Sequence, residues 1–192
     1  MTALWVGLAV FLGIHSVRLL APAWRERTLA RWGELRWKGF VSLVSLAGFV
    51  LLLWGFGQAR DESTMLWNSP LGMRHATAAL VLAAFVFTVA AYIPGTWMRA
   101  RLRSPMTVGV ALWSAGHLLS NGRLPDVLLF GAFLAWSLAV LLVRGAPATA
   151  PSSVRPSVLR DLAAVIVGLV AFAAFAHWGH AALIGVDPFA AP

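Results

Sequence analysis

The chain has no cysteine among its 192 residues. That excludes disulfides, iron–sulfur clusters, thiolate-ligated haem and covalently attached c-type haem, which needs C-x-x-C-H. Non-covalent haem b and a His/carboxylate metal site stay open. Charge is scarce too. Only 11% of residues are charged, with 7 Asp and Glu against 15 Lys and Arg, where a soluble domain carries roughly a quarter. Apart from Asp161 at one end, no acidic residue falls inside an apolar run. This weakens a small-molecule transporter, because ion coupling usually resides in intramembrane carboxylates. No pair of matched broken segments and no internal repeat is present either. Residues 1–5 carry no positive side chain, and the basic cluster follows the first apolar run. Although Ala21-Pro22-Ala23 mimics a cleavage site, this is the pattern of a retained first helix with its N-terminus outside.

What the chain does have is apolar surface. Hydrophobic residues make up 60% of it and the mean hydropathy is +0.80. These side chains outrun any interior they could fill, so lipid must be the solvent. The reading is an all-α polytopic membrane protein, one transmembrane domain over residues 1–192, with about six helices. The apolar runs lie at about 3–21, 40–56, 75–93, 105–121, 127–143 and 159–184, each of roughly spanning length. Pro22 stops the first and Gly55-Phe56-Gly57 the second. Pro94-Gly95 closes the third. Ser104 is a suitable N-cap for the fourth, with Pro105 at the first helical position, and Asn121-Gly122 ends it. Residues 145–157 read as a short flexible linker rich in Pro, Ser and Ala.

The net charge of +8 and pI of about 11.7 do not point to nucleic acid, because the charges lie between apolar runs rather than on a basic face. They orient the chain instead. The odd-numbered connections hold Arg25, Arg27, Arg31, Arg36, Lys38, Arg99, Arg101, Arg103, Arg144, Arg155 and Arg160; the even-numbered ones hold Arg60, Arg74 and Arg123. The positive-inside rule then places both termini in the periplasm of a bacterial inner membrane. Trp24, Trp32, Trp37, Trp67 and Trp97 fall near helix boundaries, where an aromatic belt belongs. Trp113 and Trp136 are more buried candidates for lining a cavity.

Ionisable groups in hydrocarbon are costly, so intramembrane histidines are the candidates for chemistry. His15 in the first helix shares a face with Leu8, Phe11, Leu12, Arg18 and Leu19, with Gly7 at its edge. Arg18 either reaches the interface along its stem or pairs with an anionic group. His117 in the fourth helix shares its stripe with Val110, Trp113, Ser114, Ser120 and Asn121. It is either a metal ligand with supporting donors or a polar contact between helices. His75, His177 and His180 gather at one interface; they are either a divalent metal site or side chains reaching water.

Taken together these segments resemble the NnrU family. The resemblance is carried by Phe-Leu-Gly-Ile-His15-Ser-Val-Arg18, by Ser104-Pro-Met-Thr-Val-Gly109-Val-Ala-Leu-Trp113-Ser-Ala-Gly-His117-Leu-Leu-Ser-Asn121-Gly122 and by Ile184-Gly-Val-Asp-Pro188. It covers essentially the whole chain, most specifically residues 105–122. It implies a small multi-pass protein of the bacterial inner membrane, associated with denitrification and with nitrite or nitric oxide reduction. Its partners would be the lipid bilayer and denitrification proteins. The family also looks like a relative of zeta-carotene isomerase, a haem b enzyme. That resemblance implies haem b bound by His15 and His117 as iron ligands. The isomerase has a cysteine where this chain has Ser114, so ligand exchange through a thiolate is unavailable and the polyene isomerase reaction is in doubt. A faint likeness to isoprenylcysteine methyltransferases fails at Arg103-Ser104-Pro105, where those enzymes carry Arg-His-Pro.

Two neutral imidazoles can hold haem iron without adding charge to the bilayer. Gly7 and Gly109, each eight residues before its histidine, are expected to leave room for a flat porphyrin. Depth sets a condition. His15 is about 9 Å from the expected cytoplasmic end of its helix and His117 about 18 Å, so binding one iron requires tilt or a displaced fourth helix. The other class of reading is a non-catalytic accessory factor acting through helix contacts.

Overall fold

The computed structural model describes residues 1–61, 63–102, 104–143 and 154–189. Arg103 and Arg144 of the charge count, and residues 145–153 of the expected linker, lie outside them. The described chain is helical: α1 (Thr2–Leu20), α2 (Pro22–Asp61), α3 (Met73–Tyr92), α4 (Trp97–Arg101), α5 (Pro105–Ser120), α6 (Leu124–Val143), α7 (Val158–Ala174), a π-helical turn (Phe175–Gly179) and α8 (His180–Ile184). Five helices, with the last running Val158–Ile184, are long and apolar enough to cross a membrane. All six apolar runs are helical; α5, at 16 residues, is shorter than those five.

Large apolar side chains stand outward on these helices. On α7, Leu159, Leu162, Ile166 and Val170 are exposed at helical spacing, a lipid-facing stripe. The chain divides into two compact units. The first holds residues 1–65 and 123–129, the second residues 66–122 and 130–192.

In the first unit, α1 and α2 pack antiparallel through glycine. A Cβ at Gly7 would lie 2.7 Å from the Leu52 backbone N, and one at Gly48 would lie 2.9 Å from that of Phe11. Gly55 is packed as closely on Leu4. Lipid gives no hydrophobic drive to helix pairing, so close backbone approach through small residues supplies the attraction. This explains why Gly55-Phe56-Gly57 does not end the helix, as expected, and α2 runs on to Asp61: Gly55 serves a helix contact. The start of α2 was also not anticipated. Residues 22–32 are helical, and the chain then breaks at Gly33 (φ 77°, ψ 165°). Trp24 and Trp37 meet edge to face at 5.7 Å, and Trp32 meets Phe40 at 5.6 Å. Thirteen residues of straight helix would separate Trp24 and Trp37 by about 20 Å, so residues 22–32 fold back against residues 34–40 as an arm. At the other end of α2, Leu124 N–H donates to Thr64 O at 3.0 Å and the Arg123 guanidinium to Arg60 O at 3.1 Å.

In the second unit, α3 is central, packed against α5 and α7. Gly109 lies against Ala84 and Thr88, and Gly116 against Leu80 and Thr77, so α5 runs antiparallel to α3. Thr77 Oγ1 donates to Gly116 O at 2.7 Å and also meets the Ser120 hydroxyl. Gly168 of α7 sits on Val86, and Phe85 contacts Phe172 and Phe175. The Asp161 carboxylate accepts from Trp97 N–H at 2.9 Å and Met98 N–H at 3.2 Å, which ties the first turn of α4 to the start of α7. Ser104 caps α5 and Pro105 opens it, while Asn121 closes it, as the sequence suggests.

Candidate histidine sites

His15 stands five residues before the end of α1, in the first unit. Its Nδ1 donates to Phe11 O at 2.7 Å, one turn back. Its ring stacks on Phe11 with centroids 4.4 Å apart and planes at 29°. The imidazole is exposed on the surface of its unit, as is Arg18 one turn later.

His117 stands three residues before the end of α5, in the second unit. Its local arrangement repeats that of His15. Nδ1 donates to Trp113 O at 2.9 Å, and the ring stacks on Phe130 at 4.5 Å and 25°. Trp113 is held edge to face by Phe130 and Phe133; it is packed between rings. A carbonyl can only accept, so in both histidines the neutral ring carries its proton on Nδ1 and its lone pair on Nε2. That is the tautomer a metal ligand needs, with the other nitrogen held by a backbone carbonyl.

The donors expected around His117 are spent elsewhere. Ser114, fully buried, donates to Val110 O at 2.8 Å. Ser120 is engaged with Thr77. Asn121 donates to His117 O rather than to the imidazole. The two flanking glycines likewise give their space to neighbouring helices: Gly7 to α2, Gly109 to α3. Neither leaves a slot for a flat ring.

His75 and His177 are exposed, and His177 packs on Phe189 at 5.0 Å. His180 was not singled out from these two by sequence spacing. Its Nδ1 donates to Val186 O at 2.7 Å, and Phe175 meets its ring edge at 5.9 Å. It therefore shares the tautomer of His15 and His117. The signal that could have marked it is the Gly185-Val186 turn, whose left-handed glycine (φ 75°) brings the carbonyl back to the ring. Among the described residues, no group of three or more His, Asp or Glu is placed to hold a metal ion. A bare divalent site from His75, His177 and His180 is thus not formed.

Apolar helices of spanning length, with sparse polar side chains turned to helix contacts, define a helical membrane protein. Within that class the chain belongs to the NnrU family: the family model described as NnrU protein matches residues 3–188. Comparison with curated proteins and with solved structures finds no match.

Proposed function

We propose that the protein is a six-span inner-membrane haem b protein of nitrogen-oxide respiration, with both termini periplasmic and His15 and His117 as candidate iron ligands. The observation that carries the haem reading is the shared state of the two imidazoles. Each donates Nδ1–H to the carbonyl one turn back and stacks on a phenylalanine, which sets the lone pair on Nε2. Haem iron brings four porphyrin nitrogens of its own, so it needs one or two protein ligands rather than three. The donor set fits that group better than a bare cation. When bound, the haem would supply one-electron chemistry or a site for a small nitrogen oxide. The protein's residues would hold the iron and keep each ligand ring in one tautomer, with Phe11 covering His15 and with Trp113 and Phe130 covering His117.

The six-span topology rests on the charge asymmetry and on α5 crossing as a short helix. The tie to denitrification and its proteins rests on the family resemblance. The same resemblance suggests a haem-dependent isomerisation of a lipophilic substrate as an alternative activity.

The test is an absorption spectrum of the detergent-purified protein, oxidised and dithionite-reduced, with a pyridine haemochromogen assay. A Soret band with sharp reduced α and β bands supports the reading. A protein that stays colourless after haem supplementation refutes it. That result would favour an accessory factor, a reading supported by the hydroxyls of Thr77, Ser114 and Ser120, all committed within or between helices.

A further inference from the structure

We infer that the folded-back arm at the start of α2 lies in the headgroup layer of the membrane and binds anionic phospholipid through Arg27, Arg31 and Arg36. The inference is independent of haem. It rests on the membrane-spanning helices and on the packing of α1 against α2.

That packing fixes the level of the arm. Gly7 sits on Leu52, Gly48 on Phe11 and Gly55 on Leu4, so the two helices run antiparallel in a single register. Followed to the end of α1 at Leu20, the same register sets Leu20 beside Gly39. Residues 22–38 therefore lie past the end of the first apolar helix, where hydrocarbon gives way to the polar layer of a bilayer.

The arm has two faces. Trp24, Thr28 and Trp32 recur every fourth residue and so share one side. Thr28 is buried, and its hydroxyl donates to Trp24 O at 2.8 Å. Trp24 packs on Trp37 and Trp32 on Phe40, and Trp37 in turn meets Phe40 at 6.1 Å. Even so, Trp24 and Trp32 remain 43% and 44% exposed, as rings of an interfacial aromatic belt should. Arg27 and Arg31, one turn apart on the neighbouring stripe, are both exposed. Arg27 gives its Nε–H to Ala23 O at 3.2 Å, which leaves the rest of its fork to an outside acceptor.

The charge of this segment is unbalanced. Residues 22–38 hold five cations, Arg25, Arg27, Arg31, Arg36 and Lys38, against Glu26 and Glu34. Lys38 is paired with Glu34 at 2.7 Å. Among the described residues the four arginines make no ion pair. A guanidinium presents paired N–H groups that match two phosphate oxygens. A basic helix with tryptophan on its other side, placed at the end of a span, is the form that lies on anionic lipid. An acidic protein would answer the charge alone. The exposed indoles beside the arginines call for a surface with an apolar layer under its phosphates.

The experiment is native mass spectrometry of the detergent-purified full-length protein, titrated with phosphatidylglycerol or with phosphatidylcholine of identical acyl chains. The parent should retain phosphatidylglycerol in preference. Arg27→Gln/Arg31→Gln should weaken that preference by about fivefold for each cation removed. Glu34→Gln removes a carboxylate and frees Lys38, so it should strengthen retention, a gain that misfolding does not produce. Equal retention of the two lipids by the parent overturns the inference. So does an unchanged preference in Arg27→Gln/Arg31→Gln, which would place the lipid elsewhere on the protein.

Discussion

The α1–α2 contact predicts that two chemically identical glycine substitutions on one helix will change stability unequally. Gly7 and Gly13 both lie within α1. A Cβ at Gly13 would meet nothing within 4 Å, whereas one at Gly7 would meet Leu52 N at 2.7 Å and Leu51 C at 3.0 Å, all backbone. Ordinary contact begins near 3.4 Å, so Gly7→Ala must push the helices apart by roughly 0.7 Å. Backbone cannot swing aside as a flexible side chain can.

Overpacking of this kind costs typically 1–3 kcal/mol, offset by roughly 0.8–1 kcal/mol from the better helix propensity of alanine. Net destabilisation of Gly7→Ala is therefore up to about 2 kcal/mol, and more for Gly7→Val. Gly13→Ala keeps only the propensity gain and should be neutral or stabilising by up to about 1 kcal/mol. Reversible SDS unfolding from mixed micelles, followed by circular dichroism, measures both on one scale. Equal effects at the two positions would refute the glycine-mediated packing of α1 on α2.

The break at Gly33 makes a second prediction. Its φ of 77° and ψ of 165° fall where essentially only glycine goes, and nothing crowds the position. Gly33→Ala should cost about 1–3 kcal/mol, and Gly33→Asn should do no better, because asparagine tolerates the left-handed helical region rather than this one. Rescue by asparagine in the same unfolding assay would show that the break is an ordinary turn. A third concerns Asp161, whose carboxylate accepts from the Trp97 and Met98 amides. Asp161→Ala should cost about 1.5–3 kcal/mol and release those two amides to fast hydrogen exchange; unchanged exchange there would mean that α4 holds itself.

How much could be read from the chain depended on whether the information was local. The start of α5 was legible because Ser104 and Pro105 carry their reason with them: a hydroxyl for the orphan amide and a ring with no N–H to waste. Its end was legible at Asn121-Gly122 for a similar reason. The arm at residues 22–32 was not, since it is too polar to read as a span and is shaped by aromatic contacts across Gly33. Gly55 was misread as punctuation because glycine looks the same whether it ends a helix or admits a neighbour; only the Leu4 backbone against it decides. Gly7 and Gly109 were expected to leave room for a porphyrin, and each admits a neighbouring helix instead. The π-helical turn before His180 has no local signature, so the way it turns that ring onto Phe175 was invisible.

The candidate histidines are each placed by their own helix. His15 is five residues from the C-terminal end of α1, and His117 three residues from the C-terminal end of α5. The last span runs in the same direction as the fourth, and its C-terminal end carries His180. The local chemistry of the three rings is the same, an imidazole whose Nδ1 donates to a backbone carbonyl. Nothing local to a ring chooses among them, so the proposed haem binding is assigned to a ligand by replacing each histidine in turn with alanine and reading the absorption spectrum.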